Sequence, residues 1–519
     1  MALLFSKSYS QNNAYWVLTE NRPRRVKMKV LLVSPEYPDS FWNFRYALKF
    51  ISKKASLPPL GLLTVAAMLP KEWEKKLVDM MVATLSDRDI RWADLVFISA
   101  TSIQKESVKG IIAKCNVSGA KIVAGGPLFT AGYGDFENVD HLVLNEAEVT
   151  LPPFLKDLKE GHPNHIYASN ERADVKNTPI PLWELVDMKK YATMCVQCSR
   201  GCPFSCEFCD IPLHFGHNMR TKAKDQILAE LESLYSHGWR GGVFIVDDNF
   251  IGNKKELKKA ILPSMVEWME RRYHPFSFTT QTSIDLSADE ELMQLMVQAG
   301  FDSVFIGIES PNEESLAECN KYQNINRDLI ACVKRVQRSS LQVQAGFIVG
   351  FDSDPPTVFD RLIAFIQESG IVTAMVGLLN APRGTRLHQR LVREGRLLKD
   401  ISGDNTDLTM NFVPKMNYEV LVDGYKRVIH TIYSPKHYYE RVLLFLRNFE
   451  QLQKRSFRFH LCHLRALLKS IWFLGISGKG RVYYWRLLLW SLIRHPQLFP
   501  LTVTLSIYGF HFRKIFEKY

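Results

Sequence analysis

No apolar run in this chain reaches the roughly 18 residues that a membrane-spanning helix needs. The longest approach, from Trp485 to Ile493, stops at Arg494, His495 and Pro496, so no span is predicted. Internal repeats and low-complexity tracts are also missing. With 28 glycines and 24 prolines in 519 residues, the composition is neither fibrous nor disordered. The first residues pass from Met1-Ala-Leu-Leu-Phe into Ser, Gln and Asn without the apolar core of a secretory signal, and the expectation is a cytoplasmic protein. No Ser-His-Asp or paired-carboxylate arrangement can be read, so no acid–base catalytic residue is assigned. Acidic residues fail in one region above all: Lys454 to Tyr519 holds twelve Lys or Arg and the single acid Glu517. The formal charge of +12 is therefore concentrated in the tail, and the rest of the chain is nearly neutral.

What is present is alternation. Short apolar runs at 29–35, 76–80, 94–100, 120–127 and 140–146 are separated by helix-length segments at 59–70, 104–117 and 149–160. Continuous apolar strands imply burial on both faces, so residues 28–160 are read as a doubly wound α/β domain. Residues 1–27 are read as a disordered extension or as lying outside the translated protein. The polar, proline-containing stretch 161–190 reads as a linker. A second alternation follows, with strands expected at 192–197, 242–247, 276–281, 303–308, 341–349 and 372–379. Six βα units over 191–400 fit a partial TIM-like barrel, in which functional groups gather at the C-terminal strand ends. Residues 401–453 read as helical, and 454–519 as a basic, aromatic tail.

Nine cysteines are an odd number, and five of them fall between Cys195 and Cys209. That density suits metal or redox chemistry better than a disulfide framework. Within SRGCPFSCEFCD, Cys202, Cys206 and Cys209 stand in the spacing C-x3-C-x2-C just after the first barrel strand. A 4Fe-4S cluster normally takes four thiolates, so three leave one iron open to substrate or cofactor. A zinc site that recruits Cys195 or Cys198 is the alternative.

This motif, placed after the first strand of a partial barrel, resembles the radical S-adenosylmethionine superfamily. The resemblance implies a 4Fe-4S cluster on Cys202, Cys206 and Cys209 and S-adenosylmethionine on its open iron, cleaved reductively to a 5'-deoxyadenosyl radical. It further implies Phe208 against adenine, Asp247 and Asp248 on the amino group of the methionine moiety, and Gln281, Ser283, Glu309, Ser310 and Gly350 at later strand ends. Taken alone, Asp247-Asp248-Asn249 also reads as a strand-end turn and helix cap.

A doubly wound domain ahead of such a barrel resembles the cobalamin-binding module of B12-binding radical SAM proteins. The carry-over places candidate cobalamin contacts at Ser99, Thr101, Gly125, Gly126 and Glu146. The D-x-H-x-x-G motif that supplies a histidine to cobalt is missing, and the usual GEGE-like turn reads Asn145-Glu146-Ala147-Glu148. A scaffold sheet without cobalamin is the alternative.

Among relatives of that class the chain is similar to the hopanoid methylase group. This implies a cobalamin-dependent C-methyltransferase acting on an unactivated carbon of a lipid-like substrate, with an electron donor such as flavodoxin or ferredoxin. A non-methylating cyclase or carbon–carbon bond former, and a non-catalytic metal-binding assembly protein, are the rival readings. Trp472, Tyr483, Tyr484, Trp485 and Trp490 alternate with arginines in the tail, the pattern of a peripheral contact with the inner face of a membrane; a basic helical cap packed on the barrel with its arginines solvated is the alternative. No RNA-recognition or helix-turn-helix pattern accompanies the charge, so nucleic acid is not expected.

Overall fold

The computed structural model describes residues 27–404, 406–450 and 461–518. The extension at 1–27, save its last residue, and the start of the basic tail at 454–460 lie outside the described residues.

The first sheet contains β1 (Lys29–Ser34), β2 (Glu74–Asp79), β3 (Leu95–Ser99), β4 (Lys121–Gly125), β5 (His141–Val143) and β6 (Ile166–Tyr167). All pairings are parallel, in the order β2-β1-β3-β4-β5-β6. Its central strands β1, β3 and β4 are apolar along most of their length because both faces are covered, whereas the edge strand β2 opens on Glu74, Lys75 and Lys76. Leu31 and Val33 of β1 belong to the core on one face, and Val30 and Leu32 belong to the core on the other. The helix Lys105–Ser118 shows the complementary pattern, burying Val108, Ile111, Ile112 and Cys115 at helical spacing while its other side faces solvent.

The stretch 161–190 departs from its reading as a linker. Ile166–Tyr167 joins the first sheet beside β5, Trp183 is fully buried, and the Tyr191 hydroxyl just beyond donates to Asp79 at 2.9 Å. A two-residue strand is too short to register as a hydrophobic pattern.

The second sheet has β7 (Met194–Val196), then β10 (Gly241–Ile245), β11 (Phe276–Thr282), β12 (Phe301–Glu309), β13 (Gln342–Val349) and β14 (Thr373–Leu378). Each strand pairs in parallel with the next, giving the order β14-β13-β12-β11-β10-β7 of a partial (β/α)6 barrel. A small antiparallel pair, β8 (Ser199–Arg200) and β9 (Arg220–Thr221), brackets the cysteine loop. Along β11, Phe276, Phe278, Thr280 and Thr282 are buried under the helices, and Ser277, Thr279 and Gln281 alternate onto the less covered barrel side.

The basic tail is not an appendage. Its described part forms the helices Leu461–Ser470, Arg481–Arg494 and Phe499–Phe516, and Tyr484, Leu487, Leu505, Phe512 and Ile515 join the same hydrophobic core as the barrel. His511, in the last helix of that tail, is buried. One of its ring nitrogens (Nε2) lies 3.0 Å from the Phe41 carbonyl, and burial pushes its pKa down to about 4. The apolar side of the last helix carried this information, but the charge count masked it. No helix among the described residues is long and apolar enough to cross a membrane.

Candidate functional site

The cysteine loop is held at its base and at its tip. Gly201 has φ +102°, and a side chain there would meet the Asn218 carbonyl at 2.7 Å, so the loop can close only over glycine. The Cys202 N–H donates to the Gly216 carbonyl at 3.2 Å and the Cys209 N–H to the Cys206 carbonyl at 3.2 Å. Between the last two cysteines, Glu207 receives Arg390 at 2.8 and 3.1 Å, and its N–H donates to the Cys319 carbonyl at 2.9 Å. Arg390 also reaches Asp352 at 2.9 Å, so the loop is tied to the segment that follows the barrel.

Burial raises the pKa of Cys202 and Cys209, and the neighbouring thiols of the trio raise it further. Cys195 and Cys198 look elsewhere: the Cys195 thiol donates to the Pro58 carbonyl at 3.5 Å, and Cys198 packs in the hydrophobic core. Neither is placed to complete a zinc site with the loop. Among the described residues no three His, Cys, Asp or Glu side chains converge on a point that one ion could fill. Cysteines that each take a separate iron of a cluster need not do so.

The two aspartates after β10 separate in role. Asp247 is fully buried: its Oδ1 accepts the Cys198 N–H at 2.7 Å and its Oδ2 the Ser199 hydroxyl at 2.6 Å. Its expected contact with S-adenosylmethionine is corrected to a support for the strand entering the cysteine loop. Asp248, by contrast, has a buried Oδ2 with no hydrogen-bond partner. Burial, Asp247 and Asp210 together push its pKa up to about 7. An unpartnered carboxylate oxygen beside Cys202 is what a ligand ammonium would satisfy.

Glu309 ends β12 at φ +66° and pairs with Lys321 at 2.9 Å. The pair folds back over Gly307, where an added Cβ would stand 2.2 Å from Glu309 Oε1 and 2.9 Å from Lys321 Nζ. Glu309, Cys206 and Cys209 all favour the charged form of Lys321, so a cation stands between this glutamate and the cluster loop. Lys321 was missed in the sequence because no motif marks it; its place depends on the chain turning back twelve residues after Glu309.

Gln281 is on the barrel side of β11, and Ser283 follows that strand with its N–H donating to Asn249 Oδ1 at 3.2 Å. The Phe208 ring lies 6.3 Å from that of Phe351. Ser310 and Gly350 turn away from the cysteines. Ser310 is fully buried with its hydroxyl oxygen accepting the Asn312 N–H, and a Cβ on Gly350 would point at Leu421 and Met410 rather than at the cysteines.

Facing the barrel across the domain boundary is a cavity at the C-terminal ends of β3, β4 and β5. Ser99, Gly125, Gly126 and Glu146 line it from the first domain, and Gln197, Arg200 and Val246 from the barrel. Thr101 is outside that lining and caps the turn Ser102–Gln104. The glycines serve the sheet as well as the cavity. A Cβ on Gly125 would strike the Val143 carbonyl at 2.5 Å, and one on Gly126 the Ser99 hydroxyl at 2.6 Å.

Glu146 accepts Arg200 and Arg220 on Oε2, each at 2.8 Å, and Glu148 accepts Arg200 at 2.7 Å. The acidic turn is thus clamped to the strand that leads into the cysteine loop. Arg200 was legible as a neighbour of the motif, two residues before Cys202, but not as the residue that joins the domains.

The fold and loop define a radical S-adenosylmethionine enzyme preceded by a doubly wound domain. The Radical SAM superfamily model matches residues 196–378, and a domain of unknown function (DUF4070) matches 385–519. A protein of Synechocystis sp. named as an uncharacterized methyltransferase is 39% identical, covering 93% of this chain and 91% of that protein. The hopanoid C-2 methylase of Rhodopseudomonas palustris is 31% identical, covering 91% and 90%. The radical S-adenosylmethionine methyltransferase TsrM from Kitasatospora setae, solved with cobalamin and a 4Fe-4S cluster, shares the fold. Its TM-score is 0.61 at 14% identity, over 95% of this chain and 99% of that one. The chain belongs to the radical SAM superfamily, in the group that contains the hopanoid C-2 methylase.

Proposed function

We propose that this protein is a cobalamin-dependent radical S-adenosylmethionine C-methyltransferase acting on an unactivated carbon of a hopanoid-type lipid. The observation that carries the reading is the shared cavity lined by the C-terminal ends of both sheets, with the cysteine loop leaving one of them. Two cofactors that act on one substrate must face each other, and this arrangement lets them. The relative named hopanoid C-2 methylase supports the substrate class.

When bound, the 4Fe-4S cluster and S-adenosylmethionine supply a hydrogen-abstracting radical, and cobalamin supplies a methyl group. The chain's own residues bind and orient. Cys202, Cys206 and Cys209 would hold the cluster. Asp248 and Glu309 would receive the ammonium of the methionine moiety, and Lys321 would receive its carboxylate, because a zwitterion needs both signs within one site. Ser99, Gly125, Gly126 and the apolar lining from Leu60 to Val65 would hold cobalamin. No histidine lines the cavity, so none of its side chains is an imidazole ligand for cobalt.

The barrel interior suits an apolar substrate. Its wall there is apolar: the Phe305 ring lies over Gly346, where an added Cβ would stand 2.9 Å from it and 3.7 Å from Met375, and Trp42 meets Phe305 edge-on at 5.3 Å.

Anaerobic purification from cobalamin-supplied cells tests the reading. About four irons and one cobalt per chain, followed by a product heavier by one CH2 on incubation with hopanoid extract, are expected. Iron without cobalt, or a product of unchanged mass, would replace it with non-methylating radical chemistry.

A further inference from the structure

Of the 21 large apolar side chains exposed among the described residues, nine fall between Leu464 and Ile493. Such concentration is unusual for a surface with no partner. The residues are also ordered. Leu464, Leu468, Trp472 and Ile476 recur every four positions along the helix Leu461–Ser470 and its π-helical continuation to Ile476, which places them in one stripe. On the next helix, Arg481–Arg494, Val482, Leu489 and Ile493 share a face at spacings of seven and four, with Val482 72% and Ile493 74% exposed.

The inner faces of this hairpin are satisfied. The Tyr484 and Ser470 hydroxyls lie 2.9 Å apart, the Trp485 indole donates to the Gly475 carbonyl at 3.0 Å, and Leu487 and Leu488 are buried. The apolar outer face is thus not a misread core. Charge supplies the second observation: residues 461–494 contain no Asp or Glu, while Lys479, Arg481, Arg486 and Arg494 are exposed on the same hairpin.

We propose that the outer face of the 461–494 hairpin docks on the surface of an anionic phospholipid bilayer. Exposed Trp, Leu and Ile would enter the headgroup boundary while Lys and Arg meet the lipid charge, and no segment crosses. The docking goes beyond methyl transfer and does not depend on it. The hairpin rests on the helix Arg45–Ile51, through Phe473 against Phe50 at 5.7 Å and Lys469 on the Lys49 carbonyl. That helix closely follows Trp42, which touches the barrel residue Phe305. A bilayer lipid would therefore arrive beside the barrel, a corollary that does rest on the reading above.

The test is co-sedimentation of the intact holoenzyme with sucrose-loaded vesicles, either phosphatidylcholine alone or phosphatidylcholine mixed with phosphatidylglycerol. Binding at least about tenfold tighter to the mixed vesicles, and weakened by salt, is expected. The variant L468E/W472E/I493E should lose about tenfold or more of that binding, and so should R481E/R486E, with iron content and circular dichroism unchanged. Equal binding to both vesicles, or none, overturns the proposal. So does a concentration-dependent dimer that the glutamate variants dissociate, which would make the face a contact between copies. Cleavage of S-adenosylmethionine, measured on the same samples, keeps failure of docking separate from failure of the catalytic reading.

Discussion

The two parallel sheets turn their C-terminal ends toward one cavity, yet they end differently. At the first sheet, the charges after β5 face counter-charges: Glu146 and Glu148 pair with Arg200 and Arg220, and one carboxylate oxygen, Glu146 Oε1, is left buried in the cavity wall without a hydrogen-bond partner. At the barrel, Asp248 is pushed toward its neutral form with a buried oxygen unpartnered, while Glu309 and Lys321 pair with each other over Gly307. Matched buried charge holds domains together, whereas unmatched buried polarity is tolerated where a ligand completes it. The first domain is therefore fixed to the barrel by its acidic turn and offers the remaining, largely apolar lining to a cofactor. The barrel reserves its polar groups for binding.

The sharpest way to break this contrast is at the cysteines. Cys202→Ala, Cys206→Ala or Cys209→Ala should abolish cluster iron and 5'-deoxyadenosine formation, while Cys195→Ala should retain both; iron assay and product chromatography distinguish them. Next in size is the clamp. Arg200→Ala leaves two buried carboxylates without their shared cation and should destabilise the protein by about 3–5 kcal/mol, read by denaturant unfolding. Adding Glu146→Gln and Glu148→Gln should recover part of that loss. If Arg200→Ala unfolds like the wild type, the acidic turn does not hold the domains.

The attachment of the first domain to the last helix makes a pH prediction. His511 titrates near 6.5 when unfolded and near 4 when folded. As pH falls from 6.5 toward 4, the unfolded chain binds a proton that the folded one refuses, so stability declines through that window by up to about 3 kcal/mol. His511→Gln should flatten that part of the profile. A smaller effect is expected at the barrel mouth, where Asp248→Asn should weaken S-adenosylmethionine binding by about ten- to a hundredfold with iron unchanged. Asp247→Asn, in contrast, should lower cluster content, because it loosens the strand that enters the loop. Equilibrium binding and iron assays on the two variants separate a ligand contact from a support.

Much of this was legible in the chain. All six barrel strands lie where the apolar runs put them, within about two residues, because each packs a row of apolar side chains under the helices while its barrel side tolerates polar ones, as along β11. The cysteine loop was legible because ligand spacing is local. Assigning roles at the strand ends was not. Asp247 and Asp248 are adjacent and identical in type, and only the turn of the chain beyond β10, which sends one toward Cys198 and leaves the other with an unpartnered buried oxygen, tells them apart. The same holds for Thr101, Ser310 and Gly350: being at a strand end does not say which way a side chain turns. The tail takes the packed form that the sequence left open beside a membrane contact, and composition could not choose between them, since Phe512 and Ile515 pack inside beside Arg513 and Lys514.

The sequence by itself determined the order of βα units, the cluster motif and the concentration of positive charge near the end of the chain. Each is a pattern among neighbours, and local spacing is sufficient to express it. Tertiary structure alone decided the joints. Arg200 meets Glu148 across 52 positions, Arg390 meets Glu207 across 183, and His511 meets Phe41 across 470. Contacts at such separations leave no periodicity in the chain, because they exist only once two independently patterned segments have packed together.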